Sequence, residues 1–402
     1  MSQTNQRAFA RHVLPGILTL VLFALAGCAT TPTAIGPAPA RTRIAADPIE
    51  FPARLIGHHL VVEIPVERAG TARFLIDTGS SVTLLSPDFV NRLGTAASRE
   101  PQRTVQVRSA TGDYRTLPAV HLRRLTLGGL RLESLQALLL DHAELSAHLG
   151  ITIDGILGFP LFQDLRLTLD YPRERVRVGS AVAPSLLPGS SFAFSPANKV
   201  PLIPVQLGER TVFVLLDSGS DGSLNLNPFG LDPVFSSGPR PGASVASLAG
   251  ERIPQVGRLA ATLQIGAYPL VQPVVDLTDQ LSSLGGGVLK HFTLTLDQRQ
   301  GTATFYREST APIITPPVRT VGLGFSRTPA YWRVASIVPD SPADRAGILP
   351  GDLVTRINGE SVERWDLSRY EALMRTATWV EFTFLNGREE TTGRVSVFEL
   401  IP

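Results

Sequence analysis

The sequence predicts an all-β protein of two similar lobes followed by a small α+β module. Three observations carry that reading. Two stretches of chain repeat the same landmarks in the same order. The composition, with 35 Gly and 32 Pro among many Val, Leu and Thr, favours short strands joined by tight turns. A last stretch alternates strand-like runs with helix signals and an Asn-Gly turn.

The repeat is the most informative pattern, because self-similarity decides the architecture of the whole chain. Phe74-Leu75-Ile76-Asp77-Thr78-Gly79-Ser80-Ser81 answers to Val214-Leu215-Leu216-Asp217-Ser218-Gly219-Ser220-Asp221. Ser109-Ala110-Thr111-Gly112 answers to Ser247-Leu248-Ala249-Gly250, and in each copy a second glycine, Gly128 or Gly266, follows sixteen residues later. The copies close on Leu165–Asp170 and on Phe292–Asp297. Arg166, Thr168 and Asp170 alternate with Leu167 and Leu169, the period of a half-buried strand. Leu130 to Leu140 is leucine-rich and fits helix or strand equally.

Stretches rich in Pro, Ser, Ala or Gly divide the chain. They set a tether over 29–47, a first lobe over 48–181, a linker over 182–196, a second lobe over 197–308, a linker over 309–317 and a module over 318–400.

An Asp directly after an apolar strand is costly unless it is hydrogen-bonded or has chemical work to do. The Thr or Ser after it can donate hydrogen bonds, and the Gly lets another backbone approach closely. A single Asp-Thr-Gly could be an ordinary strand-to-turn junction. Two copies can set two carboxylates face to face, where they share one proton because like charges that close do not both ionise cheaply. The ionised member can take a proton from water while the protonated member donates to a carbonyl oxygen, the chemistry of the aspartic-protease dyad.

At these residues the chain resembles the pepsin and retropepsin group of aspartic peptidases, which have a two-lobed acid-protease β-barrel fold. The resemblance implies that Asp77 and Asp217 are catalytic and that Thr78, Gly79, Ser218 and Gly219 support them. It implies flap hairpins near Gly112 and Gly250, with Tyr114 a candidate flap tyrosine. It also implies an apolar-apolar-Gly segment late in each lobe. Ile156-Leu157-Gly158 fits that pattern; in the second lobe the aligned residues are Ser283-Leu284-Gly285, where Ser283 departs from it. Peptides or unfolded proteins would be the substrates. No cofactor or metal is expected, and a monomer suffices because both aspartates lie on one chain. The alternative is an inactive relative that binds peptides or serves as an envelope adaptor. A serine nucleophile at Ser80 or Ser220 would need a base, and the seven His residues show no matching arrangement.

The module carries Val321-Gly322-Leu323-Gly324-Phe325, then Ser341-Pro342 as a helix start and Asn358-Gly359 as a hairpin turn. It looks like a PDZ domain of the bacterial periplasmic protease type. The resemblance implies that Leu323, Gly324 and Phe325 line a site for protein C-termini, to which a peptide adds as a strand. The other possibility is that the groove is closed, or that it packs against the lobes and only modulates them.

Lys plus Arg number 37 against 35 Asp plus Glu, interspersed, so nucleic acid is not an expected partner. The N-terminus has Arg7 and Arg11, an apolar run from Val13 to Ala26, and then Gly27-Cys28. That is the order of a signal peptide. It resembles a bacterial lipoprotein signal, which implies acylation of Cys28, the single cysteine, and anchoring in a lipid membrane. With Ala29 rather than Asp next, the expected location is the periplasmic side of the outer membrane.

Overall fold

The structure, a computed structural model, describes residues 40–94, 97–98, 103–109, 112–181, 188–242, 245–247, 250–328 and 330–402. Cys28 lies outside these residues. In the first half, strand Gly70–Asp77 is exposed at its start and buried on both faces from Phe74 to Ile76. It therefore delivers Asp77 out of an apolar interior. It pairs antiparallel with His59–Val66 and parallel with Gly155–Gly158, which runs antiparallel to Leu84–Leu85. The second half has the same arrangement. Arg210–Leu216 pairs antiparallel with Leu202–Leu207 and parallel with Ser283–Leu284, which runs antiparallel to Leu224–Leu226.

The two closing strands meet each other. Leu165–Asp170 pairs antiparallel with Thr293–Asp297, with Thr168 opposite Thr295 and their hydroxyls 3.1 Å apart. Arg175–Ser180 and Ile49–Ile56 extend this sheet on one side, and Thr302–Tyr306 and Ser190–Ala193 on the other. One apolar cluster runs through both halves from Ala40 to Ile313, so they share a core.

Three stretches expected as tether or linker contain strands. Arg41–Ile44 pairs with Leu130–Leu139, burying Thr42, whose hydroxyl donates to the Leu161 carbonyl at 2.7 Å. Ser190–Ala193 pairs with Thr302–Tyr306, and Ile313–Ile314 with Tyr268–Val271. Each has a strand neighbour on one side only, a position that tolerates the small and polar composition that made these stretches read as connectors. The ambiguous leucine run is the strand Leu130–Leu139, paired with Tyr114–Leu127.

The C-terminal module is a six-stranded sheet with Leu323–Arg327 at one edge and two short helices. The Ser341 hydroxyl accepts from the Asp344 N–H to start Pro342–Arg345, and the Asp366 carboxylate accepts from the Arg369 N–H to start Leu367–Thr376. Its own core includes Leu323, Trp332, Val354 and Phe382. The expected separate module is docked: Leu400 and Ile401 join Val256 and Val274 of the second half in one buried cluster. No helix among the described residues is long and apolar enough to cross a membrane.

Candidate active site

Thr78 and Ser218 bind the two Asp loops to each other reciprocally. The Thr78 hydroxyl donates to the Leu216 carbonyl at 2.6 Å and accepts from the Ser218 N–H at 3.1 Å. The Ser218 hydroxyl donates to the Ile76 carbonyl at 2.7 Å and accepts from the Thr78 N–H at 3.0 Å. Both side chains are fully buried, and each hydroxyl is satisfied as donor and acceptor. At roughly 1 kcal/mol per bond, with a larger penalty for any group left unpaired, this lock strongly favours one relative placement of the loops.

That placement brings the carboxyls together. A Cβ on Gly79 would lie 2.6 Å from Asp217 Oδ1, and one on Gly219 would lie 2.3 Å from Asp77 Cγ. Glycine is needed at both positions because each packs against the opposite carboxyl. The two carboxyls are thereby close enough for each to alter the ionisation of the other. Asp77 Oδ1 accepts from the N–H groups of Gly79 and Ser80 at 2.9 and 3.0 Å, and Asp217 Oδ1 accepts from Gly219 N–H at 3.1 Å. Burial, then the Asp217 charge, pushes the Asp77 carboxyl well above the ordinary range despite those N–H bonds. Burial also raises Asp217, with the Asp221 charge adding, against the lowering effect of the Gly219 N–H. One proton held between two such groups leaves one acceptor and one donor at the same spot.

A single steric rule holds both loops from behind. A Cβ on Gly158 would sit 2.2 Å from the Val82 carbonyl oxygen, and one on Gly285 would sit 2.3 Å from that of Gly222. Gly158 lies opposite Asp77 in register, and the Asp217 N–H donates to the Leu284 carbonyl at 2.9 Å. Ser283-Leu284-Gly285 thus stands where Ile156-Leu157-Gly158 stands. Its departure is local: Ile156 faces Leu84 across the strands, whereas Ser283 faces Asn225 and accepts a hydrogen bond from its amide at 3.0 Å. An apolar pair has been exchanged for a satisfied polar pair.

Gly112 lies by the turn of the hairpin Thr104–Arg108 and Tyr114–Leu127. This hairpin reaches the other half, where Arg108 donates to Gln280 Oε1 at 2.7 Å. Tyr114 is 66% exposed. Gly250 begins a strand paired with Val245–Ser247, so a hairpin forms at that place too. In the module, Gly322 adopts a left-handed φ of 93° and leads into the edge strand. Leu323 and Gly324 are buried, and the half-buried Phe325 ring meets Tyr370 of helix Leu367–Thr376 at 5.8 Å.

Several residues at the site escaped the sequence reading. Asp221 occupies the place that Ser81 has in the first loop, and that difference was visible. His148 Nε2 lies 3.4 Å from the Asp221 carboxylate, and His58 Nδ1 lies 2.8 Å from the Asp221 carbonyl. Neither contact follows from spacing. Tyr171 is buried with no hydrogen-bond partner for its hydroxyl among the described residues; burial, then the charges of Asp217 and Asp77, holds that hydroxyl firmly protonated. No group of three or more His, Cys, Asp or Glu among the described residues is placed to hold a metal ion.

Residues 62–161 match the aspartyl protease family, and residues 333–382 match the PDZ domain family. The chain therefore contains an aspartyl-protease-family domain and a PDZ domain. Asp77 and Ile156-Leu157-Gly158 lie within the first match; Asp217 lies outside it. No curated protein matches the chain.

Proposed function

We propose that the protein is an aspartic endopeptidase in which Asp77 and Asp217 share one proton and hydrolyse peptide bonds in extended substrates. The observation that supports this most is the reciprocal lock of Thr78 and Ser218, which sets the Asp77 and Asp217 loops against each other at the ends of buried strands. The ionised carboxylate takes a proton from water as its oxygen attacks the amide carbon. The protonated carboxyl donates to the carbonyl oxygen. The tetrahedral intermediate then collapses: one of its hydroxyls returns a proton to the carboxylate left ionised, the C–N bond breaks, and the proton of the other carboxyl passes to the leaving nitrogen. The dyad ends with the single proton it began with.

In this reading the two halves descend from an internal duplication and make one site in a monomer, with the Gly112 and Gly250 hairpins flanking the substrate. The PDZ domain supports binding of peptides or protein C-termini, at Leu323, Gly324 and Phe325. Acylation of Cys28 would hold the enzyme at the periplasmic side of the outer membrane, close to unfolded envelope proteins. Mass spectrometry of the mature N-terminus tests the anchor, and an unmodified Cys28 would refute it. The activity is tested with purified soluble 29–402 and an unfolded protein. Asp77→Asn and Asp217→Asn should each abolish cleavage while leaving the fold intact. Peptide binding without turnover in the unmutated protein would replace hydrolysis with a binding role.

A further inference from the structure

Asp221 is held by two histidines of the first half, and each hold continues into the PDZ domain. His148, at the end of helix Ala143–Leu149, touches its carboxylate, and the His148 carbonyl accepts from Arg327 of the PDZ edge strand at 3.2 Å. His58 meets its backbone carbonyl. The other His58 nitrogen, Nε2, lies 2.9 Å from Lys290 Nζ. An ammonium only donates, so Nε2 accepts and the proton sits on Nδ1, which donates to Asp221. His58 itself is set in a left-handed turn with φ 69°, and a Cβ on Gly286 would collide with its carbonyl oxygen at 2.1 Å. The preceding Gly57 N–H donates to the Ser368 hydroxyl of the PDZ helix at 3.3 Å. The turn at 57–58 is thus wedged between the PDZ domain and the loop that carries Asp217.

We infer that His58 and Asp221 are positioning residues for the second Asp loop, tying its backbone to the PDZ domain. This deepens the peptidase reading and rests on it for its kinetic consequence. The loop hangs from the Asp221 carbonyl, four residues beyond Asp217. Loss of the His58 N–H frees that carbonyl and lets the Asp217 carboxyl drift from its partner. Displacements of about 1 Å at a reacting group can cost about a hundredfold in rate, so a partial release should cost about tenfold. The Asp221 carboxylate acts separately, as a nearby negative charge that favours the protonated form of Asp217. The groups that face Asp221 are His58, His59 and His148 from the first half, Asp217 from its own loop, and Arg327 and Glu371 from the PDZ domain.

The test compares His58→Gly, His58→Asn and Asp221→Asn in soluble 29–402. Gly and Asn both accept a left-handed φ, but only Asn retains a donor. Hydrogen exchange at 217–222 should speed up in His58→Gly, return towards the unmutated rate in His58→Asn, and stay unchanged at 77–82 in both. With a cleavable peptide, His58→Gly should lower kcat about tenfold with little change in KM. Asp221→Asn should move both limbs of the pH profile to lower pH, because removing a negative charge eases ionisation of the dyad. Unchanged exchange at 217–222 in His58→Gly would overturn the inference, as would a His58→Asn variant as impaired as His58→Gly. If the unmutated chain cleaves nothing, the peptidase reading falls, and the exchange data still decide whether His58 holds the loop.

Discussion

Ser81 and Asp221 occupy the same place, four residues beyond Asp77 and Asp217, yet their surroundings differ sharply. Ser81 is exposed at the rim of the first loop. Asp221 is half-buried, and burial alone would raise its carboxyl; the His148 hydrogen bond, with the charges of His59 and His148, overcomes that and holds it below the usual range. Inside the loops the two halves are nearly superposable in their bonding: the same hydroxyl lock, a glycine N–H on each Asp, the same glycine pressed behind. Outside them the first loop rests on its own half, whereas the second is gripped by the first half and touches the PDZ domain through it. The motif fixes what happens within a few ångströms of the carboxyls. The rest of the fold decides how firmly each loop is held.

Substitutions at paired positions sharpen that contrast. The largest structural effect should come from Gly158→Ala and Gly285→Ala, since each new methyl meets a backbone oxygen that has no room to move. Both should lower the denaturation midpoint, by about 1–3 kcal/mol of stability or more. A large loss in one and none in the other would show that the loops are not backed alike. Thr78→Ala and Ser218→Ala should come next. Each strands a buried N–H and a buried carbonyl, costing about 1–3 kcal/mol, while Thr78→Ser and Ser218→Thr keep the hydroxyl and should be far milder. Chemical denaturation measures both pairs.

Ser283 offers a subtler contrast with Ile156. Ser283→Val should destabilise by roughly 1 kcal/mol because the Asn225 amide loses its acceptor, and adding Asn225→Leu should recover most of the loss by restoring an apolar pair. A double mutant no better than the single would mean that the polar pair does more than fill space. The smallest effect belongs to Ser81→Ala, which should leave stability and turnover within experimental error, in contrast to Asp221→Asn.

The dyad also has a signature in stability. A carboxyl whose folded pKa is raised favours folding below its unfolded pKa, and that contribution is lost as pH rises through the folded value. Asp77 is such a group. Asp77→Asn should therefore lose activity yet flatten the decline in stability between mildly acidic and alkaline pH, as thermal melts across that range would show.

Much of the site was legible because its chemistry is local. Asp77-Thr78-Gly79 and Asp217-Ser218-Gly219 each fit in three residues, and Gly158 lies in a short apolar segment. What escaped was non-local or compensated. Ser283 looked like a defect because its partner Asn225 is 58 residues away. The bond from His58 to Asp221 spans 163 residues, and nothing near either end announces it. The edge strands Ser190–Ala193 and Ile313–Ile314 read as linkers because pairing on one side asks little of composition. The docking of the PDZ domain was legible only as an alternative for a related reason: Leu400 and Ile401 look like the end of a strand until Val256 and Val274 cover them.

The most direct test of a shared proton is the pH dependence of kcat/KM for soluble 29–402 on one cleavable peptide, measured beside Asp77→Asn and Asp217→Asn. The expected profile is a bell. Its acidic limb marks protonation of both carboxyls, and its alkaline limb marks ionisation of both. Because burial and the Asp217 charge raise Asp77, the alkaline limb should lie well above the ordinary carboxylate range. Both variants should fall to background at every pH. Turnover that survives either substitution, or a rate that keeps rising with pH with no alkaline limb, would contradict a dyad that works with one proton between two aspartates.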